Sequence, residues 1–488
     1  MHRLFLLCLL CMAPALCAAD TLRIGSKRFT ESYILAEVLA QAAGPHAAIE
    51  VKAGLGNTAI VYAALRAGSI DLYPEYAGTI DQEILKNGKP SLSLAAMRAQ
   101  LLPLGLGVDV ALGFNNGYAL AMRADVAGKL GIARLSDLAQ HPGLRLGLSN
   151  EFIGRADGWQ GLAKRYALPQ KPTGLDHGLA YDAVAQAQVD VIDIYATDAK
   201  IGHLGLKVLA DDGTYFPRYD AVVLYRLDVP KRFPAVWAAL LAQAGRIDEA
   251  AMIAMNARAE LQSVAFDVIA RDHLNGNAST IEERGFWVKL FGPDLARLAW
   301  QHLSLVAASV GLAVLIGVPV AVAVAPHRRA RGLVLGATGL LQTVPSLALL
   351  AALISLVDRI GTVPALLALT LYALLPIMRN TCTGLAEVPA GLKLAGAALG
   401  MSAMQRLRLI ELPLAMPTVV AGVRTATSIA VGTATIAAFI GAGGFGERIV
   451  TGLALNDKEL LLAGALPSAA LALGFEALFG LLARWMRR

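Results

Sequence analysis

Apolar and polar positions follow two different rhythms along this chain, and the change comes near residue 295. Between Leu22 and about Arg284, short aliphatic runs alternate with amphipathic stretches. LRIGS (22–26) reads as a strand, and FTESYILAEVLAQAAG (29–44) as a helix closed by Gly44. IEVKAG (49–54) reads as a strand, NTAIVYAALRAG (57–68) as a helix ending at Gly68, and SIDLYPEY (69–76) as a strand running into a loop. Such alternation predicts α/β layers with mostly parallel sheets. After residue 295 the apolar runs lengthen to what a bilayer crossing needs, about 20 residues of helix. They fall at about 301–325, 333–357, 362–378, 415–440 and 461–483.

Composition agrees, since 56% hydrophobic and 16% charged residues in a 488-residue chain place part of it in a membrane. The net charge of +6 does not point to nucleic acid, because Lys and Arg form no long run. The densest cluster, HRRAR (327–331), adjoins an apolar segment and reads as a topology signal. Arg328, Arg329, Arg331, Arg379, Lys393, Arg406, Arg408, Arg484, Arg487 and Arg488 all fall on one side of a five-crossing arrangement. The opposite loops, Asp358–Gly361 and Gly441–Leu460, are short of net positive charge. Five crossings therefore leave the N-terminal half outside and the C-terminus in the cytoplasm. Residues 1–19 have the layout of a signal peptide: His2 and Arg3, an apolar run from Leu4 to Leu16, then Cys17-Ala18-Ala19. A lipoprotein reading at Cys17 competes, but Leu16 stands where a small residue is expected, which favours cleavage after Ala19. Cleavage would leave Cys382 as the lone cysteine, so neither an intrachain disulfide nor a cysteine metal site is expected.

The stretch LAGAALGMSAMQRLRLIELPLAMP (394–417) reads as a surface helix followed by Pro413 and Pro417, a cytoplasmic projection with a fixed exit angle. VRTATSIAVGTATIAAFIGAGGFGERI (423–449) packs small residues along a helix, as close helix contacts in membranes require. Arg424 within it reads as a structural arginine snorkelling to the cytoplasmic face. LYPEYAGT (72–79) places two phenols around a proline and a carboxylate. No phosphate-binding G-x-x-x-x-G-K-[ST] run occurs, and the eight histidines are dispersed without nucleophile or metal spacing, so the reading is not of an enzyme.

These stretches carry a resemblance. Residues 394–413 are similar to the ATPase-coupling motif of ABC-importer permeases, matching at Ala395, Gly400, Ile410, Leu412 and Pro413. They depart from it at Leu394, where the family has Glu, and at Gly396, where it has Ala. The 423–449 stretch resembles permeases of the glycine betaine, choline and carnitine family. IGSKRFTESYILAEVLAQ, GLGNTAIVYAALRAGSIDLYPEYAGT, FNNGYALAMR, EFIGRADGW, IDIYATDAKI and DDGTYFPRYDAVVLYR resemble that family's solute-binding proteins, in the same order, over residues 24–226.

The resemblance implies a two-lobed α/β periplasmic binding protein (20–290) followed by an all-α type I importer permease of about five transmembrane helices (295–488). The chain would cross between lobes near Phe114–Tyr118 and return near Asp211–Tyr219. It also implies a tyrosine cage at Tyr76, Tyr118, Tyr195 and Tyr219, with Arg155 as the fork for a substrate carboxylate and Thr79 as a hydroxyl donor. A quaternary ammonium has no N–H to donate, so ring faces must hold it. Tyr73 reads as structural, and a surface salt bridge to Asp157 is the alternative role for Arg155. Gly54 and Gly56 precede a helix start near Thr58 whose N–H groups are a further, weaker anion candidate. Expected partners are a separate cytoplasmic ABC ATPase, a second permease copy, the lipid bilayer and a quaternary ammonium ligand such as glycine betaine, choline, carnitine or ergothioneine, with no cofactor, metal or nucleic acid. A ligand-gated channel or sensor is the alternative, and an importer needs the 394–417 projection where a channel does not.

Overall fold

The computed structural model describes residues 20–87, 91–276, 285–357, 359–455 and 457–486. The expected signal segment 1–19, and Asp358, Arg487 and Arg488 of the topology argument, lie outside the described residues.

The first half is built on strands β1 (Thr21–Gly25), β2 (Ala48–Lys52), β3 (Leu72–Tyr76), β4 (Leu106–Asp109), β5 (Tyr118–Arg123), β6 (Leu146–Ser149), β7 (Thr173–Leu175), β8 (Val191–Tyr195), β9 (Leu206–Val208) and β10 (Ala221–Arg226). They form two five-stranded sheets, ordered β2-β1-β3-β10-β4 in lobe one and β7-β6-β8-β5-β9 in lobe two. The chain passes to lobe two between β4 and β5 and returns between β9 and β10. The two crossings touch at an antiparallel bridge between Asn115 and Asp220. The expectation of mostly parallel sheets needs correction. β10 is antiparallel to β3 and β4, and β5 is antiparallel to β8 and β9, because each is the first strand laid down after a change of sheet. This reversal carries the starts of β5 and β10 to the carboxyl edges of β8 and β3.

Helix α1 (Thr30–Ala43) is buried on nearly every side. Beyond α2 (Thr58–Arg66) and α3 (His177–Ala185), the chain returns with α4 (Glu249–Glu260) and α5 (Phe266–Asn275), which cover the face of α1 turned away from the sheet. A helix enclosed in this way is apolar all round, as the run YILAEVLA requires. Asn57 caps α2, its side chain accepting from Ile60 N at 3.3 Å.

The second half contains α6 (Leu295–Val324), α7 (Arg328–Thr343), α8 (Ser346–Val357), α9 (Thr362–Glu387), α10 (Ala390–Ala398), α11 (Leu412–Ala434), α12 (Gly446–Leu455) and α13 (Lys458–Met486). Among the described residues α6, α9, α13 and the run Ala403–Ile440 are each long and apolar enough to cross a membrane. The expected crossing at 333–357 is broken into two helices, α7 and α8, bent by 103°, which make a fifth span if the pair crosses as one. Pro345 has no N–H and pushes Val344 out of the helical region, to φ −68° and ψ 127°. Tyr372 Oη donates to Val344 O at 2.6 Å and Gln342 Nε2 to Tyr372 O at 3.1 Å, fastening the break to α9.

Pro413 and Pro417 do not set an exit angle, which is a second correction. The helix runs through both, and a π turn over Leu407–Glu411 widens the backbone just ahead of the Pro413 ring. The projection turns at Gly400 instead, with φ at +80°.

Helices α9 and α11 pack with their backbones close, at two glycines. A Cβ on Gly422 would stand 2.7 Å from Asn380 Cβ and 2.8 Å from Pro376 O, and one on Gly384 3.0 Å from Ala415 O. Gly422→Leu should therefore force the helices apart and destabilise the chain by about 1–3 kcal/mol, the usual cost of overpacking. Gly432→Ala, with nothing within 4 Å of the added carbon, should be neutral. Thermal unfolding of the detergent-purified chain reads both, and an unchanged midpoint for Gly422→Leu would contradict this packing.

Candidate ligand-binding site

The LYPEY strand separates its two phenols by geometry. Tyr73 and Tyr76 are three residues apart, so they leave opposite faces of β3. Tyr73 is buried under lobe one among Leu55, Val61 and Leu101. Tyr76 ends the strand at the junction between the lobes. Tyr195 likewise ends β8, and Tyr118, which opens antiparallel β5, is its register partner. Tyr219 lies in the return crossing just before β10, whose Ala221 pairs with Tyr76. All four rings thus gather at the carboxyl edges of the two sheets, where α/β folds place ligands.

Tyr118 lies with its ring centroid 5.0 Å from Tyr195 and 5.6 Å from Tyr219. Phe29, at the entrance to α1, closes the circle at 5.3 Å from Tyr195 and 6.2 Å from Tyr76. Two of the hydroxyls are tied back into the walls and the other two face each other. Tyr76 Oη donates to Glu31 at 2.5 Å, Tyr219 Oη to Asp157 at 2.6 Å, and the Tyr118 and Tyr195 hydroxyls stand 3.4 Å apart. Burial drives these four phenols well above their ordinary pKa, so they remain neutral. Tyr76, Thr79, Tyr118, Arg155, Tyr195 and Tyr219 all line one cavity of about 20 Å³, together with Lys27, Phe29, Asn116 and Glu151.

Those last four were not anticipated. Phe29 stands in the RFTES stretch and an aromatic beside a helix start offered a faint signal; nothing local marks Lys27. Its ammonium is buried, pairs with Glu75, and lies 4.9 Å from the centre of the Tyr76 ring and 5.8 Å from that of Phe29. The Arg155 guanidinium lies 5.1 Å from the Tyr118 ring. Three rings of the cage therefore already meet cations of the protein.

Arg155 is not a free fork. Its Nε and Nη2 each donate to Asp157 at 2.7 Å, Nη2 also reaches Thr79 Oγ1 at 3.4 Å, and Nη1 is 3.8 Å from Glu151. The pair with Asp157 is buried, so it is not a surface salt bridge either. The α2 start is similarly engaged, Thr58 Oγ1 meeting Glu151 of lobe two at 3.5 Å.

Around the rings stand the carboxylates of Glu31, Glu75, Glu151 and Asp157 against the cations Lys27 and Arg155, an acidic balance suited to a cationic guest. Burial lifts Glu31 to about 7, although hydrogen bonds from Thr197, Tyr76 and Asn256 hold it down. Behind the cage His177 packs its ring 4.4 Å from Tyr195. Burial opposes its charge, but Asp198, 3.1 Å away, and Asp193 raise it to about 10, so it is an imidazolium at neutral pH.

A second cavity of about 250 Å³ adjoins the cage, sharing Lys27, Phe29, Glu151 and Tyr195 with it. Glu260, lifted by burial to about 7, faces it, and its outer wall includes Val450 and Leu453 of α12. The two-sheet half rests on this end of the membrane helices. The Arg28 guanidinium lies 4.8 Å from the Phe439 ring, and Ile360 joins the apolar cluster around Leu55. Ion pairs Lys289–Asp457 at 2.6 Å, Arg448–Asp294 at 2.6 Å and Arg297–Glu447 at 2.8 Å clamp the chain between the halves to α12 and the start of α13.

The expected coupling residues lie at the other end of α9, whose 26 residues span about 39 Å. Ala395 is on α10, Ile410 in the π turn, and Leu412 and Pro413 open α11. A Cβ on Gly396 would lie 2.8 Å from Ile410 Cδ1, so the glycine that replaces the family's Ala makes room for Ile410. Gly400 has open space around it and is required by its positive φ, not by close approach. Leu394 is exposed, while Lys393 pairs with Glu411 at 3.3 Å across the projection.

Comparison with known proteins places these two ends in one context. The osmoprotectant import permease protein OsmW of Salmonella typhimurium is 47% identical over 183 residues, 37% of this chain and 85% of that protein. The choline transport system permease protein OpuBB of Bacillus subtilis is 41% identical over 182 residues, 37% of this chain and 83% of its own. A solved glycine betaine/carnitine/choline ABC transporter structure is 26% identical, covering 52% of this chain and 98% of that one with a TM-score of 0.45. Residues 313–488 match the binding-protein-dependent transport system inner membrane component. Residues 20–276, more than half of the chain, match the substrate-binding domain of ABC-type glycine betaine transport systems, and the protein belongs to that family as a fusion of receptor and permease.

Proposed function

We propose that the receptor half captures a quaternary ammonium compound outside the cytoplasmic membrane and delivers it to the permease half, which works as a dimer driven by a separate ABC ATPase at the α10 projection. The observation that carries this reading is the cage: four tyrosines and Phe29 line one cavity, with the Tyr76 and Tyr219 hydroxyls tied back to Glu31 and Asp157. Each desolvated ring face contributes about 0.5–2 kcal/mol toward a cation that no hydrogen bond can hold. Relatives named for osmoprotectant, choline and carnitine transport agree with this class of ligand. The 250 Å³ cavity walled by both halves offers a path from the cage toward the permease. A projection with a fitted Gly396–Ile410 contact and a left-handed Gly400 favours an importer over a ligand-gated channel.

Calorimetry on the full chain tests the cage. Tyr195→Ala or Tyr219→Ala should weaken choline binding at least tenfold, and Tyr73→Phe should leave it unchanged; the reverse order would mean that the wrong phenol has been assigned. Because Asp157 occupies the Arg155 fork, Arg155→Ala should lower choline and glycine betaine affinity alike, whereas a loss confined to glycine betaine would show the fork turning to a ligand carboxylate.

Affinity should also depend on pH. Glu31 is protonated below about 7 and charged above it. A cation in the cage favours the charged form, so choline affinity should rise between pH 5.5 and 8.5, roughly tenfold if the ligand lowers the Glu31 pKa by one unit. Glu31→Gln should flatten the profile, while Glu260→Gln, at the neighbouring cavity, should keep it. A flat profile for the native chain would remove Glu31 from the account.

A further inference from the structure

Arg424 and Glu476 form an ion pair inside the membrane half, the first on α11 and the second on α13. Ser428, one turn along α11, meets the other carboxylate oxygen at 3.4 Å. Arg424 therefore does not snorkel away from the bilayer, as its place in the sequence led us to expect; a carboxylate on another helix meets it. Glu476 precedes Arg484 by eight residues, about 12 Å of helix, and Arg424 follows Pro413 by eleven, about 16 Å. The pair thus lies within the hydrocarbon layer, toward its cytoplasmic side.

In the single chain these side chains are 40% and 42% exposed. A half-exposed charged pair among lipid tails is unfavourable, and such groups face protein or a water-filled cavity. Their surroundings on α11 are also unlike a lipid face, for Ala421, Thr425 and Gly432 are exposed there. Leu473, Leu478 and Leu481, 57–70% exposed on α13, are what a lipid face looks like.

We infer that Arg424, Ser428 and Glu476 line the ligand's passage at a seam where α11 and α13 face the same helices of a second copy, and that Glu476 is the carboxylate that meets the quaternary ammonium head in transit. The inference rests on the importer reading above. A permanent cation cannot shed its charge to cross the low-dielectric layer, so it needs a counter-charge there. An uncompensated carboxylate would hold the cation, whereas one paired with Arg424 exchanges partners as the cation arrives and recovers Arg424 as it leaves. Weak, exchangeable binding is what a passage requires, in contrast to the enclosed cage of the receptor. A two-fold seam brings the same pair from each copy to the one passage.

The test uses the full chain with its native ATPase in host membranes. Glu476→Gln should reduce choline or glycine betaine uptake at least tenfold with the receptor's ligand affinity unchanged, and Glu476→Asp should retain uptake, which separates a missing charge from a failed fold. In a Ser428→Cys chain, the membrane-impermeant thiol reagent 2-(trimethylammonium)ethyl methanethiosulfonate, itself a quaternary ammonium, should label residue 428 from an aqueous side, and saturating choline should slow the labelling. Native uptake by Glu476→Gln, or labelling of Ser428→Cys only by lipid-soluble maleimides, overturns the proposal. If the native chain itself shows no ATP-dependent uptake of these ligands, the importer reading fails, and the labelling still decides whether the pair borders water.

Discussion

One buried carboxylate organises the receptor half. Glu31 sits at the start of α1 with no access to water, and its oxygens accept from Tyr76 of lobe one, Asn116 of the outgoing crossing, Thr197 of lobe two and Asn256 of α4. Four separate parts of the chain are thus registered against one side chain, and one of them is a cage tyrosine. A buried charge is tolerated only when fully hydrogen-bonded, so the same requirement that satisfies Glu31 fixes where the Tyr76 ring points. Asp157 does the equivalent on the opposite wall, holding Arg155 and Tyr219. Preorganisation follows: hydrogen bonds at their far ends set the Tyr76 and Tyr219 rings, and a guest would share the cage with Lys27 and Arg155, which already stand over the Tyr76, Phe29 and Tyr118 rings.

Much of this was legible in the residues, and the limits are physical. The alternation of short strands and helices indicated α/β layers, since a period of two and a period of 3.6 are hard to confuse over ten residues, while the division into two lobes came from the resemblance. Strand direction was not legible, because a strand reads the same either way; the antiparallel β5 and β10 emerge only once the crossings are placed. Tyr118 and Tyr219 reach the cage through that reversal. The resemblance indicated which tyrosines and which arginine belong together, but not that Arg155 would be committed to Asp157, two residues on. Lys27 and Glu31 were invisible as site residues, for charged side chains beside a strand end ordinarily point to solvent and their burial depends on partners 45 to 225 residues away. In the membrane half, hydropathy located the apolar runs but not the 103° break at Pro345, which needs the Tyr372 contact to hold it.

The two halves meet where transport demands it. The cage adjoins a cavity whose far wall belongs to α12, so receptor and permease share a surface beside the candidate site. The α10 projection lies at the opposite end of α9, and the closely packed α9–α11 pair, with glycines at each contact, is a stiff link between those ends. For the proposed importer, tethering makes capture and delivery intramolecular, so the receptor's effective concentration at the permease is set by the clamped linker and not by diffusion.

Everything above turns on a cation being held by ring faces and a net acidic wall, and not by a merely apolar pocket. Choline and 3,3-dimethylbutan-1-ol differ by one atom, nitrogen for carbon, and have nearly the same shape, so calorimetric affinities of the full chain for the two isolate the charge. The account predicts that choline binds at least about 100-fold more tightly, as several cation–π contacts require; equal affinities would contradict it.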